Sequence, residues 1–292
     1  MGRLDSIALL YCPAVYIFFN NVYGHGGGRG VNPKTMRGNR TMANKKPSGY
    51  VIYDGPALID GKPIVVIATV KSRNNKTGNM IQTYILCRDI DPRLASKTGA
   101  DYTICGKCKH RGIAIPNDPI KKIAAKRTCY VNLGQGVLIV FNAFQRGIYP
   151  TITGHDAIAA IGDGRVVRLG TYGDPASVPS YIWDSLLSES NSWTGYSHQS
   201  GLSGVDYRPD LTMRSADSLE EAKQAWQNGE RTFRVVSNVK DILNDYETLC
   251  PASEEAGRRT TCAKCKLCKG NTIAAKSIAI PVHGAGKTHF AA

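Results

Sequence analysis

The chain has 292 residues, 42% of them apolar, and a formal charge of +14; that length suits one large α/β domain or two small ones. No run reaches the roughly 18 to 20 apolar residues that cross a bilayer, which argues against a membrane span and for a soluble protein. Nine cysteines are an odd number, and their spacings are metal-like. A disulfide framework of the small secreted kind is therefore excluded, and a reducing cytoplasm is expected.

Residues 1–41 differ from the rest. The apolar run 7–19 follows Arg3 and superficially resembles a signal peptide, but no A-x-A-like cleavage site follows it. Gly26-Gly27-Gly28-Arg29-Gly30 and the basic stretch after it predict disorder. Met42 is the expected natural start, with residues 1–41 a disordered or non-native extension. Residues 42–100 then read as a small β-layer. Its strands are expected at 50–53, 64–68 and 81–87, with turns at Asp60-Gly61 and over 74–79.

Over residues 101–292 short β-rich runs alternate with helical stretches. The runs 129–132 and 166–170 precede helical stretches at 137–146 and 179–187. Strands are expected at 193–196 and 211–215. Ser218 and Glu221 predict a capped helix that runs to Gln227 and stops at Asn228-Gly229. Strands follow at 232–236 and 278–282. This rhythm predicts an α/β fold: a complete or partial βα barrel with parallel strands, metal-binding, preceded by the small β-layer. Chemistry in such folds sits at the strand C-terminal ends, where polar residues recur here. Arg168, Asp174, Ser197, His198 and Arg214 are the expected pocket-lining and candidate catalytic residues.

Two cysteine groups carry the strongest signal. Cys250, Cys262, Cys265 and Cys268 read C-x11-C-x2-C-x2-C, four soft ligands for a tetrahedral zinc or a [4Fe–4S] cluster. Cys105, Cys108 and Cys129 read C-x2-C-x20-C. Here His110 or Cys87 completes a closed site, or the fourth position stays open for a small molecule. Cys12 and Cys87 are otherwise bystanders. Lys107, Lys109, Arg111, Lys121, Lys122, Lys126 and Arg127 accompany the first group; Arg258, Arg259, Lys264, Lys266 and Lys269 flank the second. Such cations favour thiolates, and the same charge suits nucleic acid. Gly286-Lys287-Thr288 is not a phosphate-binding loop, because position 281 is Pro281 and too few residues follow for a helix. His198, His283 and His289 show no H-x3-H spacing.

Two resemblances rest on these residues. The runs Ile104-Cys105-Gly106-Lys107-Cys108, Cys129-Tyr130-Val131-Asn132, Arg168-Leu169-Gly170-Thr171-Tyr172-Gly173-Asp174-Pro175 and Cys250-Pro251-Ala252-Ser253-Glu254-Glu255 resemble an uncharacterised family of tailed-phage and prophage proteins. That resemblance implies a phage-encoded protein of the host cytoplasm and no particular activity. More loosely, a βα-repeat chain with a three-cysteine site and a further cysteine-rich segment is similar to radical S-adenosylmethionine enzymes. This similarity implies a [4Fe–4S] cluster on Cys105, Cys108 and Cys129 that binds the cofactor, and an auxiliary cluster on the four C-terminal cysteines. It departs from that superfamily's C-x3-C-x2-C loop. The expected function is a phage metalloprotein, radical-type, acting on nucleic acid or a nucleotide. The alternative is a zinc-stabilised nucleic-acid-binding or host-interaction protein without catalysis.

Overall fold

The structure, a computed structural model, describes residues 46–72, 74–284 and 286–290. The expected extension over residues 1–41 and Cys12 lie outside these. The strands are β1 (Gly49–Pro56), β2 (Pro63–Thr69), β3 (Ile81–Cys87), β4 (Val166–Tyr172), β5 (Ser192–Thr194), β6 (Tyr196–Ser197), β7 (Met213–Ala216), β8 (Thr232–Val236), β9 (Glu247–Leu249) and β10 (Ser277–Pro281). They form two five-stranded sheets, ordered β1-β2-β3-β4-β5 and β6-β7-β8-β10-β9. The first begins antiparallel through β1, β2 and β3, then turns parallel through β4 and β5. The second is parallel throughout. The chain is thus α/β with parallel-rich sheets. The strands of the expected β-layer share their sheet with the first strands of the βα region.

One residue joins the two sheets. Gly195 separates β5, which pairs with β4, from β6, which pairs with β7. Its N–H donates to the Cys268 carbonyl at 2.9 Å and its carbonyl accepts from Met213 N–H at 3.0 Å. A Cβ here would come within 3.0 Å of the Thr212 methyl. Glycine therefore lets the strand change neighbours where it passes between packed side chains. β3 is flanked by β2 and β4, and β9 pairs only with β10, so strand pairing among the described residues closes no ring.

The expected strands at 64–68, 81–87 and 232–236 form because their β-branched and aromatic side chains pack well on a pleated surface. Ile64 to Ala68 are fully buried, as expected where both faces of a sheet are covered. The helices are α1 (Pro92–Thr98), α2 (Tyr102–Cys105), α3 (Gly136–Gln145), α4 (His155–Gly162), α5 (Ser180–Leu187), α6 (Leu219–Gln227) and α7 (Cys262–Cys265). Val137, Val140 and Phe141 of α3, and Ile182, Trp183 and Leu186 of α5, join the β2–β4 core. A second apolar cluster, built on Met213, Ile278 and Ile280, encloses Cys250 and Cys268. No helix among the described residues is long and apolar enough to cross a membrane.

Two expectations change. Residues 129–132 form no strand, because the Arg127 guanidinium donates to the carbonyls of Cys129 and Val131, both at 2.9 Å, and holds the segment as a loop. Ser218 does cap α6, accepting from Glu221 N–H, but Glu221 reaches back to Asp217 N–H rather than to Ser218. The Lys287–His289 segment is a single 3₁₀ turn and not the α-helix that a phosphate-binding loop leads into.

A buried ion pair crosses the second sheet. Glu247 on β9 accepts two bonds from the Arg234 guanidinium of β8, at 2.8 and 2.6 Å, past the intervening β10. Glu247 is 1% exposed and also accepts from Leu243 N–H. Removing one partner of such a pair strands the other charge in the interior. Glu247→Ala is expected to lower stability by about 3 to 5 kcal/mol in urea unfolding, and Glu247→Gln by less.

Candidate metal centre

The loops after the parallel strands converge on a cavity of about 220 Å³. Its walls come from the ends of β4, β6, β7, β8 and β10, together with the loops that carry Cys105, Cys108 and Cys129 and with Cys262 of α7. Cys105, Cys108 and Cys129 of the first group and Cys262 of the second therefore reach one space.

The first group is held by polar clamps on its backbone. Gln199, fully buried beyond β6, donates from Nε2 to the Cys105 carbonyl at 2.9 Å and accepts from Lys107 N–H at 3.2 Å. Gly106 between them has φ +50°, and a Cβ there would sit 2.1 Å from the Gln199 side-chain oxygen. Only glycine fits. Arg111 donates to the carbonyls of Gly99 and Gly106 and to the buried Asp101 carboxylate at 2.6 Å. Lys109 pairs with Glu221 at 2.9 Å. These basic residues, expected to act on the thiols by charge, act chiefly by tying down the loop.

Burial pushes the Cys105 thiol well up, with further contributions from Asp101, Cys108 and Cys129; burial also raises Cys129. Cys87 stands apart: its thiol donates weakly to the Ala100 carbonyl inside the core, and burial pushes it up to about 12. It does not line the cavity and so supplies no fourth ligand there.

The second group is anchored in the smaller core. The N–H groups of Cys262 and Ala263 donate to the carbonyls of Lys76 and Thr77, so the turn at 74–79 seats α7. Cys250 N–H donates to Ala279 O of β10. Burial, with Cys250, Cys262 and Cys265 nearby and a hydrogen bond from Tyr196 acting against them, pushes the Cys268 thiol up to about 12. Arg231, 8% exposed, donates to the carbonyls of Leu267, Gly270, Ala275 and Lys276 and so shapes the loop that begins at Cys268.

The expected pocket residues divide. Arg168, Asp174 and His198 line the cavity. Ser197 does not: strand alternation turns it inward, where it is fully buried and its hydroxyl accepts from Gln199 N–H. Arg214 turns away toward Glu230 at 3.8 Å. Asp174 is a brace, accepting from the N–H of His198 at 2.8 Å and from Gln199 Nε2 at 3.0 Å. Arg168 lies with its guanidinium over the Tyr196 ring at 5.8 Å, and its Nε is buried without a hydrogen-bond partner among the described residues. That is a cation facing a largely apolar space beside Cys262.

Sequence spacing gave no sign of a further group. His110 Nε2 and His198 Nε2 both approach Asp217 Oδ1, at 3.2 and 3.1 Å, and His198 Nε2 lies 3.8 Å from Cys108 Sγ. Burial opposes the charge on Asp217, yet its bonds from the two imidazoles hold its carboxyl well below the usual range. Burial likewise opposes the His198 imidazolium, and Cys108 and Asp217 more than offset it, raising that group well above an ordinary histidine. No protein-family model matches the chain, and neither does any curated protein or solved structure.

Proposed function

We propose that the protein is a two-centre iron–sulfur enzyme on a partial βα barrel. In this reading Cys105, Cys108 and Cys129, which line the cavity, would hold a [4Fe–4S] cluster and leave one iron without a cysteine ligand. Cys250, Cys262, Cys265 and Cys268 hold a second cluster that serves as a structural or electron-relay centre. The observation that carries the reading is the convergence of Cys105, Cys108, Cys129 and Cys262 on one cavity with Arg168, whose Nε has no hydrogen-bond partner among the described residues.

The donor sets fit. The second group offers four thiols, as a [4Fe–4S] cluster takes, and the first offers three, which leaves one position for a further ligand. When bound, a three-thiolate cluster supplies an electron to a small molecule chelated at its open iron, S-adenosylmethionine being the candidate by resemblance.

The chain's own residues do the rest. Arg168 binds an anionic group, a carboxylate or a phosphate, deep in the cavity. Asp174 and Gln199 fix the loop that bears Cys105, and the apolar walls exclude water. The substrate class that suits a basic chain is a nucleotide or nucleic acid. Lys76, Arg259 and Lys264 line a second recess beside the cavity and are placed to meet phosphates. Eight described cysteines without a disulfide agree with a reducing cytoplasm, the host's if the chain is phage-encoded.

The test is anaerobic purification of the full chain, with iron and sulfide analysis and equilibrium dialysis against S-adenosylmethionine. Expected are about eight irons and eight sulfides per chain. Arg168→Met should keep that iron but bind the cofactor or an anionic substrate roughly 10- to 100-fold more weakly, the range of one buried charged contact. Zinc with no iron would end the iron–sulfur reading and leave a zinc-stabilised binding protein.

A further inference from the structure

We propose that His110, His198 and Asp217 form a mononuclear site for a first-row divalent transition-metal ion, distinct from both thiol groups and opening into the cavity. Their three ligand atoms all lie within 4.8 Å of one another, the one such group among the described residues. Nitrogen and oxygen ligands bind zinc at about 2.0 to 2.2 Å, so two of them on one tetrahedral ion stand roughly 3.3 to 3.5 Å apart. The observed separations of 3.1 and 3.2 Å are close to that edge.

Hydrogen bonding alone accounts for the arrangement less well. Two imidazole nitrogens converge on a single carboxylate oxygen, Asp217 Oδ1. One of them, His198 Nε2, also faces Cys108 Sγ at 3.8 Å, so its single hydrogen is at best divided between two partners. A cation between the nitrogens and the carboxylate removes the conflict. Cys108 Sγ is not within 4.8 Å of all three atoms and is not assigned to this site.

Each ligand is also braced from behind, as ligating residues are. His110 Nδ1 bonds Thr128 Oγ1 at 2.8 Å, which fixes the ring with Nε2 inward. The His198 backbone is held by Asp174 at 2.8 Å, and the Asp217 backbone by Glu221 at 2.8 Å. Glu221 also grips Lys109 beside His110, so one side chain sets the distance between two ligand-bearing segments. Phe290 stacks on His110 with ring centroids 6.1 Å apart and covers one side. All three ligands line the cavity. Two imidazoles and one carboxylate leave the ion's other positions to a ligand from that space. The chemical class it takes is a substrate oxygen or nitrogen donor, or a water polarised beside one. The assignment does not depend on the iron–sulfur reading, because its ligands are not thiols.

The test uses full-length protein purified anaerobically, equilibrated with zinc chloride, dialysed, and analysed for zinc, iron and sulfide. Asp217→Asn and His110→Gln are each expected to hold about one zinc per chain fewer than wild type, with iron and sulfide unchanged. A Cys105→Ser, Cys108→Ser, Cys129→Ser variant should keep that zinc while losing iron. Equal zinc in wild type and both single variants overturns the site and leaves a hydrogen-bonded cluster. Loss of the zinc with the thiols overturns it too, by assigning the ion to them. Circular dichroism confirms folding, and either single variant suffices if the other fails to fold. Absence of iron from every sample defeats the iron–sulfur reading alone, since the zinc difference still reports this site.

Discussion

Serine at Cys105, Cys108 and Cys129 together should cut iron from about eight to about four atoms per chain and abolish cofactor binding, with little change in unfolding midpoint. The small stability effect follows from how the loop is held. Gln199, Arg111 and Arg127 bond the backbone around these cysteines and make no use of the thiols. The loop should therefore persist without its cluster. The same replacement at Cys250, Cys262, Cys265 and Cys268 should remove the other four irons or so and also destabilise the chain. Cys250 and Cys268 belong to the small apolar core with Met213, Ile278 and Ile280, and a hydroxyl in place of a buried sulfur lacks an assured partner. Iron and sulfide content and urea midpoints on the two sets separate the centres. Full iron in the first variant would remove the basis for an open cluster at the cavity.

What could be read in advance follows from which interactions are local. Strands at 64–68, 81–87 and 232–236 were legible because runs of β-branched and aromatic residues choose extended backbone wherever they are buried. Residues 129–132 carry a similar pattern, but a single neighbouring guanidinium takes their carbonyls. The run at 193–196 reads as one strand. It divides at Gly195, whose N–H goes to a carbonyl 73 residues away at Cys268. α1 carries a local signal of its own, Asp91 capping ahead of Pro92 at the first turn. The thiols were legible by spacing. That Cys262 shares a cavity with Cys105, Cys108 and Cys129 was not, since it depends on how the loops pack around the strand ends. Asp217 and Gln199 are ordinary loop residues in the sequence, and only tertiary packing gives them partners. Ser197 and Arg214 sat at strand ends as expected, but period-two alternation and the Glu230 carboxylate direct them away from the cavity.

Arg231→Ala is expected to be the most damaging single substitution among those considered. Its guanidinium, just ahead of β8, donates to the carbonyls of Leu267, Gly270, Ala275 and Lys276 at 2.7 to 2.8 Å, while its own N–H is held by Asn271 at 2.8 Å. Burial lowers its basicity, but a guanidinium stays charged far above neutral pH. The loop has little secondary structure, and Gly270 passes so close to Pro209 that a Cβ would come within 2.4 Å of its carbonyl oxygen. Truncation leaves up to four acceptors without a donor, the bond to the Gly270 carbonyl being buried and the other three part-buried. At about 1 to 2 kcal/mol each, the loss is about 4 to 8 kcal/mol, much of the 5 to 15 kcal/mol typical of a folded domain. Because Cys268 opens this loop, the second centre should be lost along with stability. Arg231→Lys keeps the charge but offers three donors from one point, which cannot span four separated carbonyls, so its effect should be intermediate. Urea unfolding and iron analysis of the two variants read both consequences. A midpoint near wild type with iron retained in Arg231→Ala would show that the loop holds its shape without the clamp.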